Sequence, residues 1–375
     1  MATLFPAIGA ACASALTLAT FAALSLAPAQ AQDAKAEWAK LVEAANAEGS
    51  VIMNSQPNKN ARDFLQTEWA KAFPKIKLSI SVVPAPQFLA RLRTERAAGK
   101  FLWDIGFAGA GTGYLLMREN IVDPLKPEFV LDDVKNPATW GGWDRVFFDT
   151  KREHVFAVTE FLKSPAFNAE RIPPAKVKAQ GIKVLLDPEY RGKIVWHDPT
   201  TPGSGQSAAF TFRTRLGDDG LRKLLVDQKV NIVAGQHEVI EHMARGTSWI
   251  GIGPLIPGLL DEYVKAGVKV DVRTFGNSPD VNELSIGGSA LYVFNKRPNP
   301  NATKLFVNWL FSRDVQHGFA KALNQDSRRR DLPSVLQEDI TPVRGATYIE
   351  PQREEHEAAV TASSRFVKEI LQSTR

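Results

Sequence analysis

Residues 76–107, IKLSISVVPAPQFLARLRTERAAGKFLWDIGF, pack a strand, a helix and a second strand into one short run. Ile76, Leu78, Ile80 and Val82 alternate with Lys77, Ser79 and Ser81, the period of a strand with one face toward a core. Pro86 to Ala98 reads as a helix that stops at Gly99, and Asp104-Ile105-Gly106-Phe107 as the next strand. A strand, a crossover helix and a strand at this spacing imply parallel pairing, because parallel neighbours need a long connection. Upstream, Trp38, Leu41, Val42 and Ala45 mark one face of a helix over Ala34 to Glu48, with Gly49 as its stop. Val51-Ile52-Met53 reads as a strand, and Leu65, Trp69 and Phe73 recur every four residues in a helix over Asn60 to Phe73.

The alternation restarts after residue 160. Strands are expected at Lys193 to Trp196, Val230 to Val233, Trp249 to Ile252 and Val268 to Thr274, with helices over Ser204 to Leu216 and Gln236 to Ala244. Ser289 to Phe294 reads as a further strand, leading into a helix striped by Leu305, Phe306, Trp309 and Leu310. The reading is an α/β protein of two units, with the polar tail from Arg313 to Arg375 placed back on the first.

Composition narrows the function. The chain has 375 residues, 44% of them hydrophobic, which excludes a disordered or coiled-coil protein. Its 46 basic and 41 acidic residues give a net charge of +5, but the two signs are interleaved, which argues against a nucleic-acid surface and slightly favours anionic small ligands. Residues 1–31 carry no Asp, Glu, Lys or Arg, run apolar to Leu26 and end in Ala29-Gln30-Ala31, which reads as a secretory signal peptide cleaved after Ala31. The single cysteine, Cys12, lies inside that segment, so residues 32–375 offer neither a disulfide framework nor a thiol nucleophile.

Chemistry is suggested most strongly by residues 187–207, DPEYRGKIVWHDPTTPGSGQS. A strand ends in a loop of Thr, Gly and Ser that opens a helix, so free N–H groups, hydroxyls and the positive end of the helix dipole converge. The same residues also suit a plain strand-to-helix turn with Ser204 as N-cap. No Lys-Ser/Thr pair follows the glycines, so this is not a nucleotide P-loop. In the first unit, Ser55-Gln56-Pro57-Asn58-Lys59-Asn60 and Ala108-Gly109-Ala110-Gly111-Thr112-Gly113 form small polar loops without carboxylates. Phe161 and Trp196 are candidate stacking surfaces, and Lys59 and Arg213 candidate counter-charges. His237 and His242 are five residues apart and diverge by about 140° around a helix, which does not suit a zincin site. Neither Gly246-Thr247-Ser248-Trp249-Ile250 nor Gly287-Gly288-Ser289-Ala290-Leu291 completes a nucleophile elbow, and no catalytic constellation emerges.

The tract LLDPEYRGKIVWHDP to TPGSGQSA resembles the extracellular solute-binding proteins of ABC importers, as do FNAERIP, WAKLVEAANAEGSVIM, RLRTERAAGKFLWDI and NATKLFVNWLFSRDVQ…DSRRRDLP. Within these the chain is similar to the ferric-binding-protein-like group, whose members take up iron, thiamine, polyamines, phosphonates and related solutes. The resemblance covers nearly all of residues 32–375 and implies a two-lobe, type II-like periplasmic-binding-protein fold, two mixed or parallel sheets joined by two crossing strands. It implies lobe 1 at 32–157 and 285–375 and lobe 2 at 158–284, with crossings at His154 to Glu160 and about Asn282 to Gly287. It further implies a periplasmic receptor delivering a small-molecule solute to an inner-membrane ABC permease and its ATPase; the residues add the expectation of a soluble, monomeric, non-enzymatic protein with no cofactor and no metal ligands of its own, carbonate- or carboxylate-assisted metal binding staying open. Ferric members carry a tyrosine pair after a strand that here reads Gly251-Ile252-Gly253-Pro254-Leu255-Ile256, with no tyrosine. The Thr200 to Gln206 cradle, the carboxylate-poor loops and the mild positive charge point to a small organic anion as the expected ligand: a carboxylate, phosphonate or phosphorylated solute. Its expected contacts are Ser55, Gln56, Asn58, Gly111, Thr112, Phe161, Trp196, Thr200, Thr201, Gly203, Ser204, Gly205, Gln206 and Gly253. The alternatives are a ferric receptor using an exogenous anion and a periplasmic enzyme.

Overall fold

The computed structural model describes residues 26–253 and 269–374, with Lys265 and Gly267 between them. Most of the expected leader, with Cys12, and the stretch from Pro254 to Ile256 lie outside the described residues. The first sheet comprises β1 (Ser50–Ser55), β2 (Lys77–Ser81), β3 (Ile105–Ala108), β4 (Val122–Asp123), β5 (Phe156–Ala157) and β13 (Ala290–Phe294). Its order is β2-β1-β3-β13-β4, with β5 also on β13. β1 runs parallel to β2 and β3, and β13 runs antiparallel to its neighbours. The second sheet, in the order β11-β7-β10-β8-β9, comprises β7 (Ala166–Asn168), β8 (Ile194–His197), β9 (Asn231–Val233), β10 (Ile250–Ile252) and β11 (Val272–Thr274). Here β8 is parallel to β9 and β10. The longer helices are α1 (Leu26–Glu48), α2 (Lys59–Ala72), α3 (Ala85–Ala97), α4 (Ala110–Arg118), α5 (Ser204–Val226), α6 (Gln236–Ala244), α7 (Pro300–Phe311), α8 (Arg313–Leu323) and α9 (Glu357–Ser373). No helix among the described residues is long and apolar enough to cross a membrane.

The strand and helix periods read from residues 34–107 produce these elements to within one or two residues, except that α1 starts earlier and runs through the expected cleavage point at Ala31. Gly49 ends α1 at φ +72°, a conformation that costs glycine nothing. The last residue of α1, Glu48, accepts hydrogen bonds from the amides of Asn301 and Ala302 at 3.0 and 2.7 Å and so caps α7. Buried Asp104 accepts from the Ile52 and Asn299 amides and the Asn299 side chain at 2.8–2.9 Å, locking β1 and the approach to α7 onto the entry of β3. Trp69, Phe107, Phe156, Phe306 and Phe311 fill the first core, and Phe167, Trp196, Phe212, Leu224 and Ile250 the second.

The tail departs from expectation. α7 and α8 belong to the first core, but Val367 and Ile370 of α9 are buried in the second, where α9 lies along α5. The amphipathic stripe of α9 can cover either unit; here it lies along α5, whose Arg213 stacks 4.4 Å over the ring of Phe366 in α9.

A third sheet links the two. Strands β6 (Thr159–Lys163), β12 (Glu283–Ser285) and β14 (Asp326–Ser327) form it in the order β12-β6-β14, all antiparallel. The second crossing falls where expected. The first lies a few residues later than expected, because Asp149 holds residues 153–155 in the first unit through their amides. β14 is an addition from the tail. In this hinge sheet Lys163 stands opposite Glu283, Nζ to Oε1 at 2.9 Å. Glu283 also accepts from Ser207 at 2.7 Å and Thr211 at 3.0 Å, both on α5.

Two stability outcomes are expected. Ile370→Ala should cost about 2–5 kcal/mol in urea unfolding by emptying a site in the second core; a cost below about 0.5 kcal/mol would mean that α9 does not dock there. Glu283→Ala strands a largely buried ammonium and should cost about 3–5 kcal/mol, most of which the double variant Lys163→Met with Glu283→Gln recovers.

Candidate functional site

Between the units lies a cleft of about 540 Å3, floored by the hinge sheet and open to the start of α5. The floor follows from strand alternation: Phe161 and Lys163 of β6 and Ser285 of β12 point into the cleft. Asn58, which caps α2 by accepting from the Ala61 amide at 2.9 Å, lines the first-unit wall with its amide nitrogen still available. Gly203, Ser204 and Gln206 line the opposite wall.

No side chain caps α5. Ser207 is the first residue of its opening turn whose amide is bonded, to the Gly203 carbonyl at 3.1 Å. The amides of Ser204, Gly205 and Gln206 make no hydrogen bond among the described residues, although Ser204 and Gly205 are buried. Buried N–H groups at the positive end of a helix are costly unless a partner arrives, so this turn suits an anion. Gly205 contributes through the room it leaves: a Cβ there would lie 1.9 Å from the His197 carbonyl oxygen, so only glycine lets α5 start this close to β8. Ser204 Oγ lies 2.6 Å from His197 Nδ1 and accepts from Gln236 Nε2 at 3.3 Å, which leaves its proton for the imidazole.

The rest of the polar lining is, apart from Ser207, carboxamide: Asn60, Gln236, Asn324, Gln325 and Gln352 join Asn58 and Gln206. Gln352 is spent on the hinge, accepting from Ser285 and Ile286 and donating to Gly287. Gln325 accepts from Thr159 and keeps its donors, and Gln236 Oε1 is buried without a partner. Lys163 is the one charged residue among the described lining residues, and Glu283 neutralises it. The cleft is therefore near neutral, and its field comes from the end of α5.

Of the residues expected from sequence, Asn58, Phe161, Gly203, Ser204 and Gln206 come together here. Trp196 does not: it is fully buried, edge-on to Phe212 at 5.5 Å in the second core, because its strand parity turns it inward. Thr200 folds back on Asp198, its amide and hydroxyl both on Oδ1, and Thr201 is exposed; neither lines the cleft. Gly253, at φ +117°, packs against His197 beside Ser204 in a small side pocket. Gly111 and Thr112 sit in the first turn of α4, off the cleft lining. Ser55 is buried with an unpartnered hydroxyl, and Gln56 lies over Gly288 rather than along the cleft. Lys59 pairs with Asp63 on the surface and Arg213 with Asp218, so neither acts as a counter-charge here. Tyr114 bonds the Gln352 carbonyl, Tyr348 bonds that of Asn277, and Tyr190 and Tyr292 are buried in cores.

No protein-family model matches the sequence, and no curated protein matches it. Solved structures do. Iron-bound HitA from Pseudomonas aeruginosa is similar with a TM-score of 0.60 at 13% identity, covering 86% of this chain and 98% of that one. FutA (IdiA) from Trichodesmium, in complex with iron and citrate, gives 0.64 at 14% identity over 86% and 99%. The periplasmic binding protein AfuA from Actinobacillus pleuropneumoniae, with fructose-6-phosphate bound, gives 0.56 at 16% over 86% and 98%. With two sheets, a joining hinge sheet and a cleft between, the chain has the two-lobe fold of the periplasmic binding proteins.

Proposed function

We propose that this protein is an exported receptor that captures a small organic anion in the cleft and delivers it to an ABC permease in the inner membrane. The observation that carries the reading is the unsatisfied first turn of α5, facing a cleft of about 540 Å3 whose one lining charge among the described residues is already neutralised. A carboxylate or phosphate at Ser204, Gly205 and Gln206 would satisfy three amides, and the carboxamides would take its other polar groups. Micromolar affinity needs about 8 kcal/mol, within reach of a few charge-assisted hydrogen bonds at about 1.5–3 kcal/mol each after ordering costs. That two of the similar structures hold citrate with iron and a sugar phosphate supports the same class. In this reading lobe 1 is residues 32–157 with the chain from about 285, lobe 2 is 158–284 joined by α9, and the leader is removed after Ala31. Nothing in the mechanism requires turnover: binding, closure and release suffice.

A thermal-shift screen of residues 32–375 against carboxylates, phosphonates, sugar phosphates, polyamines, thiamine and ferric citrate tests this, since a ligand of the native state raises its apparent stability. A shift with organic anions is expected, together with at least about a hundredfold loss of affinity in Ser204→Glu, which sets a carboxylate against the anion. A response to ferric complexes alone, with visible colour, would replace the ligand class and keep the receptor. Undiminished anion binding in Ser204→Glu would move the site elsewhere, and chemical conversion of a ligand would make the protein an enzyme.

A further inference from the structure

The hinge sheet has a second cavity, of about 400 Å3, on its other face. The alternation that sends Phe161, Lys163 and Ser285 into the cleft sends Glu160 and Leu284 the opposite way, and Asp326 and Ser327 of β14 complete this back wall. Behind it runs a chain of ion pairs. Glu160 is shared by Arg145 and Arg328, whose Nε lies 3.1 Å from Glu160 Oε2, and Glu350 is shared by Arg328 and Arg353. The guanidinium groups of Arg328 and Arg353 also lie 4.8 and 4.5 Å from the Phe148 ring. Three guanidinium groups thus share two carboxylates.

The cavity lining carries five guanidinium groups, Arg145, Arg328, Arg329, Arg330 and Arg344, against three carboxylates, Glu160, Asp326 and Glu350. Arg329 is taken by Asp133 and Asp331, and Asp326 by the Ser334 hydroxyl and the Val335 amide at 2.8 Å. Arg330 and Arg344 line the cavity with no carboxylate partner among the described residues. Burial above all lowers the Arg145 guanidinium to about 10, with Arg328 and Arg330 adding to it against the opposing charge of Glu160. A concave site of this size, with two planar cations that no carboxylate engages on a lining of net positive charge, suits a multidentate oxyanion.

We propose that this cavity binds a small multivalent oxyanion, a phosphate or a di- or tricarboxylate, clamped by Arg330 and Arg344 on the back of the hinge sheet. The site is separate from the cleft and does not depend on what the cleft holds. Its walls belong to all three hinge strands, so an anion bound there contacts the segment about which the two units would move.

Calorimetric titration of the purified protein with pyrophosphate and with citrate, in about 150 mM NaCl to suppress loose surface binding, tests the proposal. Three proteins are compared: the wild type, Arg330→Ala with Arg344→Ala, and Ser204→Glu. Both arginines are exposed, so the double variant should melt with the wild type. At least one probe should bind the wild type, weaken by at least about tenfold in the double arginine variant and persist in Ser204→Glu. Absence of binding by both probes, unchanged binding in the double arginine variant, or loss of all binding in Ser204→Glu would each overturn it.

Discussion

Glu283 ties the two crossing strands of the hinge to α5. One carboxylate oxygen faces the Lys163 ammonium across the two crossing strands; both oxygens accept hydroxyl protons from α5. A carboxylate buried this deeply is tolerable only with such partners, and removing any of them leaves charge or dipole uncompensated. The arrangement therefore ties the position of α5 to the hinge. Since α5 carries the amides that open on the cleft, the chemistry of the site depends on a contact made one turn further along the helix.

The hinge sheet is thin and two-faced. Because successive strand residues point to opposite sides, Phe161 and Lys163 serve the cleft while Glu160, one residue before Phe161 and three before Lys163, serves the arginine-lined cavity behind. A one-residue shift of β6 against β12 would exchange the two sets and place Glu160 in the cleft. Register is held from outside the strands as well: Gln352 binds Ser285 and Gly287, and Thr159 is pinned by Ser289 and Gln325.

The fold was legible because it rests on local patterns. The alternation from Ile76 to Phe107 and the restart after residue 160 become the two sheets, and even the end of the first part of α5 near Leu216 coincides with the break at Gly217. The α5 end of the site was also local, since a strand, a Gly/Ser loop and a helix start are contiguous. What escaped was the remainder. Gln325 and Gln352 reach the cleft from the tail through tertiary packing, and no period marks them. Trp196 looked like a cleft aromatic by its position in the chain, yet parity along β8 turns it into the core. Gln236 was within reach of the same logic that found Ser204, because it opens α6 directly after β9.

The strand order of the first sheet sets an order of events in folding. β13, which begins at Ala290, sits between β3 and β4, and α7 and α8 after it supply Phe306, Phe311 and Phe319 to the first core. Until roughly the last quarter of the chain is available, β4 and β5 have no strand to join them to β3, whereas residues 166–274 already contain every strand of the second sheet. Such long-range pairing slows folding. A newly made chain thus cannot complete its first sheet until that last quarter has been made, although the second sheet can already form. With no cysteine after residue 12, no disulfide has to form before both lobes can close.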